Sequence, residues 1–181
     1  MKYRLFILIL ALFLNGCSNH FPETPFNLDG ISFISPEGWK ITDRKMVKQS
    51  GFNVSCQRKG YGSGGIFIAS WINAIVPLDE YMKKYREEFE KNVLMKTATV
   101  NFDEPVDSVF NSIPCIASTY SAKILRVKTH GEVYSFYCGS KTVMLVFQES
   151  IDESEKNKAG FDKIKSTFRC RSDVGLSVVR Y

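Results

Sequence analysis

The sequence predicts an α+β fold, a mostly antiparallel β-sheet with helices packed on it, and three observations carry that expectation. Short segments with apolar residues at every second position recur along much of the 181-residue chain, the period of a half-buried strand. Two stretches, 78–95 and 153–167, instead place apolar residues three or four apart, the period of an amphipathic helix. Runs of strands with two separated helices indicate a sheet covered by helices.

Residues 31–34 and 39–42 read as two short strands around Pro36-Glu37-Gly38, where proline and glycine supply the bend. Phe52, Val54 and Cys56 alternate with Asn53, Ser55 and Gln57 as a half-buried strand. Residues 66–72 are apolar and rich in β-branched and aromatic side chains, as in a more central strand. Gly60-Tyr61-Gly62-Ser63-Gly64-Gly65 joins the two as a hairpin. After Pro77, Leu78, Tyr81, Met82, Tyr85, Phe89 and Val93 form one stripe of a helix over 78–95. Its other face pairs Lys83 with Glu87, Lys84 with Glu88 and Glu87 with Lys91. Strand pattern returns over 97–102, 115–127, 132–138 and 142–149, with turns at 128–131 and 139–141. The second helix, 153–167, turns Phe161, Ile164 and Phe168 inward behind an Asp152 or Ser154 cap. The tail, with Leu176 and Val178, is apolar enough for a last strand that completes the sheet or pairs with a partner.

The N-terminus is organised differently. Lys2 and Arg4 precede an apolar run from Leu5 to Leu14, the layout of a secretory signal, and ten residues are too few for a membrane span of about 20. Leu14-Asn15-Gly16-Cys17 resembles the lipobox of bacterial lipoproteins. The resemblance implies that 1–16 are removed and that Cys17 receives a diacylglycerol on its sulfur. Residues 17–30, with Pro22 and Pro25, are expected to be a lipidated tether, and 31–181 a single globular domain. Stretched out at about 3.5 Å each, the residues of 18–30 reach at most roughly 45 Å. Ser18 stands where an aspartate would mark inner-membrane retention in enterobacterial lipoproteins, so the outer membrane is preferred.

Composition excludes more than it selects. The chain carries 24 basic and 19 acidic residues, and loss of Lys2 and Arg4 trims the net charge of +5 to a modest excess. The basic residues are interspersed with acidic ones, which speaks against nucleic acid as a partner. Besides Cys17 there are Cys56, Cys115, Cys138 and Cys170, which in an oxidising compartment allow three disulfide pairings or remain as buried thiols. No Cys-x-x-Cys pair is present, and no spacing of histidines or acids suggests a metal, so no cofactor is expected.

No catalytic residues are assigned. Gly60, Gly62 and Gly65 fit Gly-x-Gly-x-x-Gly in letter, but a strand rather than a helix follows, so no phosphate-binding helix N-terminus is formed. His20 falls in the tether and His130 in an expected turn, and Ser63 lacks the glycine two residues before it that a nucleophile elbow needs. Trp39 and Trp71 read as core residues. Tyr61, at the tip of a glycine-rich hairpin, is the candidate contact residue, together with Leu176 and Val178.

The segments Ile31-Ser32-Phe33-Ile34-Ser35-Pro36-Glu37-Gly38-Trp39 and Phe161-Asp162-Lys163-Ile164-Lys165-Ser166-Thr167-Phe168, with the mid-chain helix and late hairpin, resemble the PsbP-like (DcrB-like) domains over about 31–168. That resemblance implies an α/β/α sandwich used for docking or accessory roles. The expected function is a membrane-anchored envelope lipoprotein that binds or assembles an envelope protein partner without catalysis. An envelope hydrolase and a small-ligand carrier stand as alternatives, separable by a cleft with convergent titratable groups or by a closed apolar cavity.

Overall fold

A computed structural model describes residues 21–47, 51–60, 64–91, 98–124 and 126–171. In chain order these form β1 (Thr24–Leu28), β2 (Ile31–Ser35), β3 (Trp39–Val47), β4 (Gly51–Arg58), β5 (Ile66–Ile72), α1 (Leu78–Lys91), β6 (Thr99–Phe102), β7 (Val106–Phe110), β8 (Ile113–Ile124), β9 (Val127–Cys138), β10 (Lys141–Ser150), a 3-10 turn (Ile151–Glu153), α2 (Ser154–Thr167) and β11 (Arg169–Cys170). The main sheet runs β3-β4-β5-β10-β9-β8, and β6 and β7 both pair with the outer side of β8. A second, three-stranded sheet has the order β1-β2-β11. Every pairing is antiparallel.

The alternation of side chains along β10 divides the molecule into layers. Val143, Leu145 and Phe147 point to a face covered by α2, through Phe161 and Ile164, and by Phe26, Ile31 and Phe33 of the small sheet. Met144 and Val146 point to the opposite face, where α1 lays Met82, Tyr81, Tyr85 and Phe89. Residues 141–147 are therefore buried without a break, as a strand covered on both faces must be. The α+β expectation holds: an antiparallel sheet with two helices packed on it.

Several local expectations are corrected. Residues 24–28, expected to be part of a tether, form β1, paired along its length from Thr24↔Ser35 to Leu28↔Ile31. Pro25 disguised this strand, yet an edge strand tolerates a proline, and Phe26 is buried. The segments on either side of Pro36-Glu37-Gly38 do not pair with each other: β2 stays in the small sheet while β3 begins the main one. Gly38 makes the change of direction at φ +76, a conformation that costs glycine little.

The turn expected over 128–131 is not there: Lys128, Thr129, His130 and Gly131 are paired with β8 within β9. Strand β7 was missed because its Val106-Asp107-Ser108-Val109-Phe110 mixes polar and apolar residues without a buried period. Helix α2 begins at Ser154 with Glu153 in the N-cap position and no side-chain cap bond, so neither Asp152 nor Ser154 caps it. The preceding 3-10 turn leads the chain directly from β10 into the helix.

Candidate functional site

Two depressions meet at Trp39. The backbone around it is fixed by three bonds: Trp39 N–H to the Pro36 carbonyl at 3.0 Å, Gly38 N–H to the Phe21 carbonyl at 2.8 Å and Lys59 N–H to the Gly38 carbonyl at 2.9 Å. The indole is buried against Phe161, ring centres 5.2 Å apart, and lies flat against Gly160 of α2. The larger depression, about 440 Å³, is rimmed by Arg58, Lys59, Lys156 and Lys163 together with Glu23 and Glu37. The smaller, about 210 Å³, lies between Phe21, Pro22, Thr24, Lys40 and Ile41.

Most rim charges are already engaged. Arg58 donates to Asn157 Oδ1 at 2.6 Å and to Glu153 Oε2 at 2.5 Å, Lys156 reaches Glu153 Oε1 at 3.0 Å, and Lys163 pairs with Glu23 at 2.9 Å. These pairs hold α2 to β4 and to the start of β1.

A second polar cluster lies on the same face, between β9 and α2. Glu132 Oε2 accepts from Tyr134 Oη and from Lys165 Nζ, each at 2.7 Å, while the Lys165 ammonium sits 4.8 Å from the centre of the Phe147 ring. Burial alone would raise the Glu132 pKa, but the two hydrogen bonds and the charges of Lys165 and His130 outweigh it and hold the carboxyl below its ordinary value. Tyr134 moves the other way, pushed up by burial and by donating to that carboxylate. The cluster is a clamp between strand and helix with its acceptor occupied. It lines neither depression at Trp39.

Cys138 and Cys170 form a disulfide between the end of β9 and β11. Cys56 and Cys115 are free and buried. Burial raises the Cys56 thiol to about 11 against the opposing contact with Ser35 Oγ at 3.1 Å, and Cys115 is raised for the same reason, opposed by Ser108 and the backbone at Phe110. Such thiols are poor nucleophiles. His130 pairs in register with Ser121 and is half-buried, not in a turn; along β8 it stands roughly 20 Å from Cys115 at about 3.3 Å per residue. No three His, Cys, Asp or Glu side chains converge on a metal-sized site among the described residues.

Trp39 and Trp71 are core residues, 3% and 1% exposed. Cys17, Tyr61, Leu176 and Val178 lie outside the described residues. What sequence reasoning missed is a set of exposed apolar side chains: Val106 at 61% and Val109 at 64% on β7, with Tyr137 at 42% and Ile75 at 57%. Register puts Val109 opposite Pro114 and Val106 opposite Ala117 on β8.

No protein-family model matches the chain, and no curated protein matches its sequence. Its shape does match solved structures. The solution structure of cyanobacterial PsbP (CyanoP) from Synechocystis sp. PCC 6803 aligns with a TM-score of 0.58 at 10% identity, covering 82% of this chain and 92% of that one.

The fold is PsbP-like.

A Bacteroides thetaiotaomicron VPI-5482 protein aligns at TM-score 0.48 and 14% identity, over 86% of this chain and 51% of its own length. A Pseudomonas aeruginosa protein of unknown function aligns at 0.44 and 11% identity, over 77% of this chain and 91% of its own. Within the PsbP-like fold the two clusters described above belong to packing: Arg58 and Glu132 each fasten α2 to the main sheet. The exposed edge formed by β7 is not consumed in that way.

Proposed function

We propose that this PsbP-like protein is an envelope lipoprotein, anchored through acyl chains on Cys17, that acts as a non-catalytic binding or assembly factor for an envelope protein. The observation that carries the binding role is the outer side of β7. Among the described residues it has no strand partner beyond β8, and it exposes Val106 and Val109. An open strand edge is a template for pairing with another chain, and soluble proteins normally blunt it with charge or cover. Here Asp107 is the one charged side chain on β7. The titratable clusters at Arg58 and Glu132 serve the fold, which supports a role in docking over one in chemistry.

The test is crosslinking in intact cells from a photoreactive residue at position 109, compared with one at position 84 on α1. Capture of one envelope protein from 109 alone, reduced by Val106→Asp with Val109→Asp, supports the reading; equal capture from both positions overturns it. Cys17→Ala tests the anchor separately. It releases the protein from membranes washed at high salt while leaving its folding unchanged, and association that survives that wash rejects the lipid assignment.

A further inference from the structure

We infer that the end of the main sheet at which the chain enters the domain rests on an anionic phospholipid leaflet, with the tip of the β8–β9 hairpin as its principal contact. The inference takes its orientation from the proposed anchor on Cys17 and its chemistry from the described surface.

Register defines that end. Gln57 pairs with Ile66, Ile66 with Gln148, Gln148 with Gly131 and Gly131 with Tyr120, one row across five strands. Phe21 lies beyond this row: its carbonyl accepts from Gly38, next to Trp39, which pairs with Arg58. The β8–β9 hairpin also lies beyond it, continuing through Ser121–Ile124 and Val127–His130. At about 3.3 Å per residue that extension projects roughly 13 Å. Between Cys17 and Phe21 the chain spans at most about 14 Å at roughly 3.5 Å per residue. A lipid on Cys17 therefore holds this end against the bilayer, with the hairpin tip long enough to meet it.

The tip has the chemistry for that meeting. Lys123, Arg126 and Lys128 supply three cations there and Val127 an aliphatic side chain, and none of these described residues is a carboxylate. Lys123, Arg126 and Lys128 are exposed and form no ion pair with other described residues. Val127 between them is 50% exposed. An aliphatic side chain flanked by long cationic ones suits the headgroup boundary, where the stem enters and the charge stays with phosphate. Nearer the entry point, Lys40, Lys59 and Lys156 are exposed as well, and Lys40 Nζ lies 5.8 Å from the centre of the Phe21 ring. Cations held within about a Debye length, some 8 Å, of an anionic surface are attracted to it. By contrast, the outward lysines of α1, on the opposite face, share their helix with Glu87, Glu88 and Glu90.

The test uses the chain from Ser18 onward, which has no anchor, in cosedimentation with vesicles of phosphatidylglycerol and phosphatidylcholine in equal parts, or of phosphatidylcholine alone. The expected result is binding to the anionic vesicles only, declining as salt is raised. Lys123→Gln with Arg126→Gln and Lys128→Gln weakens it roughly a hundred-fold, about five-fold per cation. Val127→Asp weakens it further, whereas Lys83→Gln with Lys84→Gln and Lys91→Gln leaves it unchanged. All these positions are exposed, and circular dichroism checks that each variant is folded. Equal binding to neutral vesicles, equal loss in the hairpin and α1 variants, or no binding at low salt overturns the inference. Lipid on Cys17 is read independently from the mass of the mature N-terminus, so failure of the anchor and failure of the leaflet surface are told apart.

Discussion

The backbone of Gly131 runs directly beneath the phenol ring of Tyr120, its register partner on β8, so that any Cβ at 131 would lie inside the ring. Tyr120 is held there by Phe89 and Phe102, each with ring centre 5.0 Å away, and donates its hydroxyl to Gln148 Oε1 at 2.6 Å. Glycine is required for the space it leaves, not for a turn. Gly131→Val should cost on the order of 1–3 kcal/mol through overpacking. Tyr120→Phe, which removes only the hydroxyl, should cost about 1 kcal/mol. Urea unfolding compares the two, and a Gly131→Val protein as stable as wild type would contradict the packing argument.

Gly160 stands in the same relation to Trp39, where a Cβ would meet the indole ring. Gly160→Ala should push the indole off Phe161, with a loss of about 1–3 kcal/mol and altered tryptophan fluorescence. Trp39→Ala removes the same contact by truncation and should cost about 3–5 kcal/mol. Near-UV circular dichroism separates a shifted ring from an unfolded domain.

The Cys138–Cys170 bridge spans a sequence separation of 32 and fixes β11 to the end of β9. On chain-entropy grounds a loop of this length contributes about 3–4 kcal/mol. Cys138→Ser with Cys170→Ser should therefore lower the unfolding free energy by about 2–4 kcal/mol. Reductant should do the same to wild type and nothing to the double variant.

Cys56 and Cys115 should resist alkylation in the folded protein, because burial holds both thiols above their ordinary pKa, Cys56 at about 11. In denaturant without reductant both should label, while Cys138 and Cys170 should not. Intact mass after labelling counts the adducts; rapid reaction of folded Cys56 at neutral pH would refute its burial.

Glu132 carries a pH-dependent part of the stability. Its carboxyl is lower in the folded than in the unfolded state, so its contribution is fully present above the unfolded pKa and is lost as pH falls through the folded one. Glu132→Gln should be less stable than wild type near about pH 7, and the gap should close below about pH 4. Unfolding of both proteins across that range measures the gap, and a difference constant with pH would remove the carboxylate from the account.

Much of the architecture was legible because it is periodic. The alternation at Phe52, Val54 and Cys56 and the spacing of Phe161, Ile164 and Phe168 each report one buried face, and each element formed where the pattern placed it. Strand β1 was hidden by Pro25 and β7 by its polar residues, since both are edge strands that need cover only in part. The hairpin turn was misplaced because Gly131 resembles turn punctuation, when the ring of Tyr120 is what demands it.

The sequence by itself determined the class of fold and the faces of both helices, because each is written in spacing along the chain. Only tertiary structure decided that Cys138 meets Cys170, that the residues after Pro22 belong to a sheet, and that the 123–128 tip and the chain's entry share one end. Those relations join residues far apart in sequence through strand register, and register is set by how two faces pack at once, which no local pattern records.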